Sequence, residues 1–342
     1  MRILVTGATG GLGSELLPLL KGHAVFALSR RPGPETPGVE WLTGDVNFQI
    51  PEIKDLDAVL HMAALTGLKR KAGFETVQTN LQGTRRMLAY ARTHNAAFYH
   101  VSTLYVSGDH TGIYTEGDFD VGQGFRNSYE ESKFQAEKAV RESGLDYTIF
   151  RPGILVGRHR DGYTKSFNGF YQPVHAIVAC HEFAENKLKF PPRHKFEDAF
   201  GLPRLHLPIK IHGDPDSTLA LVPTDYAASF IARVIAFKKP ATYHIASSAP
   251  RNEVIVAAVR DALIFTGVEF SKTPSHGPLD SLYNRMVRDF TPYLANAPIF
   301  SDYPGYPCPP VDYDFIKRIV TFWRENNGRT WGPEADRRPA TV

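Results

Sequence analysis

One passage constrains this chain more than any other: RILVT (2–6) runs straight into GATGGLG (7–13). The first five residues are β-prone and largely apolar, which suits a short buried strand. Gly7, Gly10 and Gly13 follow with G-x-x-G-x-x-G spacing, and leucines at 12, 16, 17, 19 and 20 then suit one helical face. Pro18 is expected to bend or shorten that helix.

The alternation continues. HAVFALSR (23–30), DAVLHMAA (57–64), AAFYHVSTLYVSG (96–108) and DYTIFRPG (146–153) read as strands, the third running into a loop. FETVQTNLQGTRRMLAYARTH (74–94) and SYEESKFQAEKAVRESG (128–144) read as helices, the second stopped by Gly144. Strands alternating with helices predict an α/β fold, a doubly wound parallel sheet with its ligand site at the carboxyl ends of the strands. The glycine turn, the 62–66 turn and the 102–108 loop all follow strands and can converge on one crevice.

After residue 153 the pattern breaks. Residues 154–218 are rich in Pro, His, Phe and Gly and weakly periodic. LALVPTDYAASFIARVIAF (219–237) reads as strand then helix, TYHIAS (242–247) as a strand, and both can rejoin the sheet. NEVIVAAVRDALIFTG (252–267) and YDFIKRIVTFWREN (313–326) read as helices. The expected organisation is a cofactor-binding domain over 1–155, with 219–248 returning to it. A smaller, mixed α/β substrate-binding region is expected from 156–218 and 249–342.

Composition narrows the function class. The 342 residues are 42% hydrophobic and carry a formal charge of only +3, so charge gives no reason to expect a nucleic-acid partner. Two cysteines, Cys180 and Cys308, do not make a disulfide scaffold in a chain this long. No apolar run is long enough to span a bilayer. A strand-like N-terminus leaves no room for a signal peptide, so a cytoplasmic location is expected.

The glycine turn has two meanings. A phosphate approaching a helix start needs exposed backbone N–H groups and no Cβ in the way, and glycine supplies both. A tight turn with close strand–helix packing needs glycine too. The end of the second strand helps decide. Sheets that bind NAD place Asp or Glu there, on the ribose 2′-hydroxyl. This chain has Ser29, Arg30 and Arg31 instead. A guanidinium matches a 2′-phosphate, which points to NADP(H). The GDV segment (44–46) offers Asp45 and Val46; Asp45 suits either an adenine contact or a turn.

Tyr129 and Lys133 are four residues apart in a predicted helix and share one face. An ammonium beside a phenol is expected to lower its pKa and ready it for proton transfer. Ser102 and Thr103, at the end of the preceding strand, offer hydroxyls for a substrate carbonyl oxygen.

With these residues in place, the chain resembles the extended short-chain dehydrogenase/reductases, built on a Rossmann sheet. The resemblance rests on TGATGGLG, GDV, VLHMAA, TNLQGT, VSTLYVSG, NSYEESKFQAEKAV and FRPGILVG, in family order across residues 1–157. It implies Tyr129 as catalytic acid/base and Lys133 as the ribose-binding residue that depresses the tyrosine pKa. It further implies Thr103 as the active-site hydroxyl and Asn80 as the asparagine that stabilises the site. Around the cofactor it places Gly7, Thr9, Gly10, Gly11, Leu12 and Gly13. It adds Ala63, Ala64 and Leu65, and Pro152, Gly153 and Ile154 near the nicotinamide. A homodimer pairing the 74–94 and 128–144 helices is also implied.

Within that family, RPGILVGRHRDGYTKSFNGFY (151–171) looks most like the thioester-reductase and male-sterility (fatty acyl reductase) group. That implies a small-molecule substrate, with an acyl thioester, aldehyde or ketone as candidates. The mixed aromatic and apolar residues 166–183 suit an apolar pocket or simply the core of the second region. Nucleotide-sugar epimerases and dehydratases share the same set, and Arg158, Arg160, Arg193, Arg204 and Lys210 are candidates for a diphosphate. FRPGILVG lacks the Asn after Phe that many epimerases show. A non-catalytic NADP(H)-binding regulator is a third reading, against which stand both Tyr129 and Lys133. HEFAE (181–185) lacks the second histidine of a zinc protease, and no metal site is expected.

Overall fold

Alternate residues of β1 (Arg2–Thr6) feed two different cores: Ile3 and Val5 one, Leu4 the other. That is the two-residue period of a strand covered on both sides. The computed structural model describes residues 1–67, 73–187, 195–197, 203–295, 298–300 and 305–326. After the glycine turn comes α1 (Gly11–Leu16), which tightens at Pro18 into a 3-10 turn over Leu17–Leu19. Then follow β2 (Ala24–Ser29), β3 (Val39–Thr43) and β4 (Ala58–His61). The predicted 74–94 helix is three pieces: α2 (Gly73–Val77), a π-helical turn over Gln78–Gln82, and α3 (Gly83–Thr93). β5 (Ala97–Val101) stops short of the predicted strand end, and Leu104–Ser107 forms a 3-10 turn. α4 (Ser128–Arg141), β6 (Tyr147–Pro152) and β7 (Ile154–Val156) follow.

The remainder comprises α5 (Tyr171–Lys187), β8 (Lys195–Glu197), β9 (Pro203–His212), β10 (Leu221–Pro223), α6 (Thr224–Phe237) and β11 (Thr242–Ile245). It ends with α7 (Asn252–Leu263), β12 (Phe265–Ser271), α8 (Pro278–Met286), α9 (Thr291–Ala295) and α10 (Tyr313–Asn326).

The chain divides into two compact units. The first comprises Met1–Leu155, Ala220–Ser248 and Pro298–Pro309. Its seven-stranded sheet runs β11-β6-β5-β4-β1-β2-β3, with every pairing parallel. One face packs Leu16 of α1, Leu20 just after the 3-10 turn, and Ala227, Phe230 and Ile231 of α6. The other packs Met87, Leu88, Ala91 and Val140 from α3 and α4. This is the doubly wound α/β architecture. Pro298–Pro309, which the sequence pattern put with the C-terminal region, folds here instead: the Tyr226 hydroxyl donates to Tyr306 O at 2.7 Å.

The second unit comprises Val156–Leu219, Ala249–Ala297 and Pro310–Val342. It holds a sheet of order β12-β9-β8. Its amphipathic α10 buries Phe315, Ile316, Ile319, Val320 and Trp323. The predicted helix over 252–267 ends early. Ile264 turns left-handed at φ +60°, and the chain re-enters β12, which bulges at Gly267 (φ +83°). β9, which the weakly periodic 154–218 stretch did not reveal, alternates in the structure: Leu207, Ile209 and Ile211 are buried while Pro208 and Lys210 are exposed. No helix among the described residues is long and apolar enough to cross a membrane.

Candidate active site

The strand order reverses between β1 and β4, and the loops after both open at the carboxyl edge of the sheet. The glycines after β1 divide by role. Gly7 sits at φ +74°, and a Cβ there would lie 2.7 Å from Ala63 N; one at Gly13 would lie 2.5 Å from Gly7 O. Those two positions are glycine because the turn packs on itself and on the Met62–Ala63 segment. A Cβ at Gly11 would meet nothing within 4 Å, and Thr9 and Gly10 are exposed. The backbone at Gly10 and Gly11, beside the exposed Thr9, is therefore bare and open to a ligand, as a phosphate-bearing dinucleotide requires, while Leu12 turns back against the core.

At the end of β2, Arg30 and Arg31 are both exposed, and Ser29 Oγ accepts from Arg31 N at 3.4 Å. A side chain at Gly33 would run into the Trp41 ring, which pins the chain just beyond the two arginines. The Asp45 carboxylate accepts from Asn47 N at 2.8 Å, as a turn aspartate does. Val46 is buried and faces Gly83, where a Cβ would stand 3.2 Å from its Cγ2.

α4 starts at Asn127, whose side chain accepts from Glu130 N at 3.0 Å. The four-residue spacing then sets Tyr129, Lys133, Glu137 and Arg141 along one stripe. Thr103, at the tip of β5, accepts from Tyr105 N at 3.3 Å, donates to Pro152 O at 3.4 Å, and hydrogen-bonds the Tyr129 phenol. Lys133 is buried and donates to Val101 O at 2.6 Å. That carbonyl takes one of the three ammonium hydrogens, and the expected depression of the tyrosine is not what this structure shows. Burial pushes the Tyr129 phenol up to about 12, with the Thr103 hydrogen bond opposing. Burial likewise drives Lys133 down to about 8, opposed by the charge of Glu137.

Asn80 lies in the π-helical turn and is fully committed. Its Oδ1 accepts from Leu65 N at 2.8 Å, while Nδ2 donates to Leu65 O and Ser132 Oγ, both at 3.0 Å. Ser132 Oγ in turn donates a hydrogen bond to the Tyr129 backbone O at 2.9 Å. Asn80 therefore ties the segment after β4 to the first turn of α4. Ala63 N donates to Thr6 Oγ1 at 3.2 Å, Ala64 is partly buried, and Gly153 and Ile154 are held by Ile245 O and Ala220 O at 3.1 and 2.8 Å.

A second buried cluster escaped the sequence reading. Glu137 Oε1 accepts from Arg151 Nη2 at 2.6 Å and Arg141 Nη2 at 2.8 Å. Glu137 and Arg151 are wholly enclosed. Burial pushes the Glu137 carboxyl up, but the two guanidiniums outweigh it and hold it below the ordinary range. Arg151 also lies 3.3 Å from His244 Nε2 and over the Tyr114 ring. Burial, then the Arg151 charge, takes His244 down to about 3. Glu137 was findable as the next step of the Tyr129–Lys133 spacing. Arg151 and His244 arrive through sheet register and carry no local signal.

Other candidates in the second unit are accounted for locally. Arg158 pairs with Asp161 at 2.7 Å and Arg204 with Asp261 at 2.6 Å, while Arg160 and Lys210 are exposed. Arg193 lies outside the described residues. Of 166–183, Phe170, Tyr171, Val174, Ile177 and Cys180 are buried, with the Tyr171 hydroxyl taken by Gly157 N at 3.1 Å. That segment fills its own unit's core. Among the described residues no cluster has the makings of a metal site.

Residues 3–180 match the model of the NAD dependent epimerase/dehydratase family. The chain is 30% identical over 182 residues to a UDP-N-acetyl-alpha-D-glucosaminuronate decarboxylase of Bacillus cytotoxicus, covering 47% of this chain and 57% of that protein. It spans little more than half the length of the curated relatives it matches. In fold it is similar to the terminal R domain of the myxalamid PKS-NRPS pathway, with TM-score 0.71 and 20% identity over 95% of this chain and 91% of that one. It is similar also to a thiolation-reductase di-domain of an archaeal non-ribosomal peptide synthetase, with TM-score 0.67 and 18% identity over 95% and 90%.

Proposed function

This chain belongs to the NAD-dependent epimerase/dehydratase family, and from that premise we propose that it is an NADP(H)-dependent oxidoreductase acting on a carbonyl of apolar character. Candidate substrates are an acyl thioester, an aldehyde or a ketone. The observation that carries this reading is the Thr103–Tyr129 hydrogen bond with Lys133 one turn further along α4.

When bound, the dinucleotide supplies or accepts hydride at the carbonyl carbon. Thr9 and the bare backbone at Gly10 and Gly11 would hold its pyrophosphate, and Arg30 or Arg31 the 2′-phosphate. Thr103 and Tyr129 are placed to grip one carbonyl oxygen, and Tyr129 exchanges the proton with it. With its pKa pushed up to about 12 by burial, Tyr129 is protonated at neutral pH and has a proton to give to a carbonyl oxygen. A thioester reduced this way then loses its thiol and leaves an aldehyde.

The likeness to the reductase di-domain supports the thioester branch. The decarboxylase relative favours a second reading, a nucleotide-sugar enzyme on the same Thr–Tyr–Lys set. Following NADPH absorbance against acyl-CoAs, aldehydes, ketones and UDP-sugars separates the two. Oxidation of NADPH by an apolar carbonyl is expected; turnover of UDP-sugars alone would overturn the reading. Arg30→Ala with Arg31→Ala is expected to weaken NADPH about tenfold and leave NADH nearly unchanged, and equal losses would refute the 2′-phosphate assignment. The proposal includes a homodimer, checked by light scattering, in the cytoplasm.

A further inference from the structure

The Asn80 carbonyl anchors a chain of hydrogen bonds whose direction can be worked out proton by proton. Parallel register sets Thr6 beside His61. Thr6 Oγ1 lies 2.7 Å from His61 Nδ1, and His61 Nε2 lies 3.1 Å from Thr84 Oγ1. Thr84 Oγ1 lies 2.6 Å from Asn80 O. Thr6, His61, Thr84 and Asn80 are all buried.

A carbonyl only accepts, so the one hydroxyl proton of Thr84 is committed to Asn80 O. His61 Nε2 must then carry a hydrogen and donate to Thr84. At the other end, Thr6 Oγ1 already accepts from Met62 N and Ala63 N, both at 3.2 Å. A hydrogen on His61 Nδ1 would be a third donor aimed at that oxygen, and the Thr6 proton would lose its acceptor. The accounting leaves one arrangement, in which Thr6 donates to a bare Nδ1. The charged and ionisable groups around the ring agree. His100 stacks on it at 5.7 Å from β5, and the Lys133 cation of α4 acts on it as well. The Lys133 charge disfavours a positive charge on His61, and burial disfavours it most.

The π-helical turn matters for the same reason. Widening a helix by one residue disturbs its carbonyl ladder, and such turns are frequent at functional sites. Here the Thr84 hydroxyl takes up the Asn80 backbone carbonyl, so the peptide that carries the Asn80 side chain is held by a bond outside the helix ladder.

We propose that His61, as its neutral Nε2–H tautomer, is a positioning residue for Asn80, acting through Thr84 and referenced to the glycine-turn strand through Thr6. The inference rests on the reading of Asn80 as a site residue.

Two measurements on the intact chain test it. Proton–nitrogen correlation spectra of histidine-labelled protein should show His61 neutral and Nε2-protonated from pH 5 to 8. An Nδ1–H tautomer or an imidazolium in that range would overturn the proposal. Amide hydrogen exchange at Leu65, whose N–H donates to Asn80 Oδ1, reports the asparagine directly. Thr84→Val should lower Leu65 protection at least tenfold while Leu4 and Val59 keep theirs, and Thr84→Ser should restore it. Unchanged Leu65 exchange in Thr84→Val, or loss in Thr84→Ser as well, would also overturn it. Absence of turnover on every carbonyl tested would sink the oxidoreductase reading while leaving both of these readouts standing.

Discussion

Two buried cations act on Glu137 of α4, Lys133 from the same helix and Arg151 from β6, and the protein treats them differently. Arg151 is locked to the Glu137 carboxylate, backed by aromatic rings and flanked by a neutral His244. Lys133, one turn nearer the helix start, is almost as buried but rests on the Val101 carbonyl, with the Glu137 charge acting on it from a distance. Burying a charge is expensive unless it is paired. The Arg151 end meets that demand with a carboxylate. The Lys133 end meets it incompletely, and the cost shows in an ammonium held near 8. An under-compensated cation beside a phenol is what proton-transfer chemistry can use; a satisfied ion pair is what a fold can use.

That contrast predicts opposite responses at the two ends. The largest effect is expected at the functional end. Tyr129→Phe removes one hydroxyl and should lower turnover about 1,000-fold, with cofactor affinity and melting temperature nearly unchanged. Near-normal turnover would break the distinction. At the other end Arg151→Met leaves Glu137 with only Arg141 and should cost roughly 3–4 kcal/mol of stability in denaturant titration. Replacing both partners, Glu137→Leu with Arg151→Met, should come within about 1 kcal/mol of the parent, because the one charge left over, on Arg141, is partly exposed to solvent and keeps its bond to Thr242 Oγ1. A double variant as unstable as the single one would show that the pair does more than neutralise itself.

How much of this could be read from the residues alone follows the same division. Tyr129 and Lys133 are a helical repeat, and Thr103 ends a strand with a recognisable pattern, so sequence order was enough to nominate them. Six strands of the parallel sheet were legible as short apolar runs; β3, VEWLT at the sheet edge with Glu40 and Thr43 exposed, was not read as a strand. Arg151 and His244 meet Glu137 only through the register of β6 against β11, and no spacing encodes that. The chain beyond residue 155 was read least well for a related reason. β12 begins one residue after α7 ends, so a helix and a strand fused into one apolar run. Pro208 hid the alternation of β9. The effect of Lys133 on Tyr129 was misjudged because spacing gives proximity but not what the ammonium donates to.

The smallest effect is the most diagnostic for Lys133. Its folded pKa of about 8 lies below the 10.5 of an exposed lysine. Between those values the unfolded chain binds a proton that the folded chain does not, so stability rises with pH. Below about pH 8 both states are protonated, and the full penalty, on the order of 3 kcal/mol, is present. Lys133→Met keeps the aliphatic stem and removes the charge. It leaves Val101 O without its donor, so the net gain at pH 7 should be roughly 2 kcal/mol, alongside loss of turnover. The gain should shrink steadily from pH 8 to pH 10, because the parent catches up as Lys133 deprotonates. Measurement should stop there. Above pH 10 the buried tyrosines, pushed up by their own burial, make the folded state hold protons the unfolded state releases, and stability falls for both proteins. A stability difference that stays flat between pH 7 and 10 would mean that Lys133 is as well compensated as Arg151.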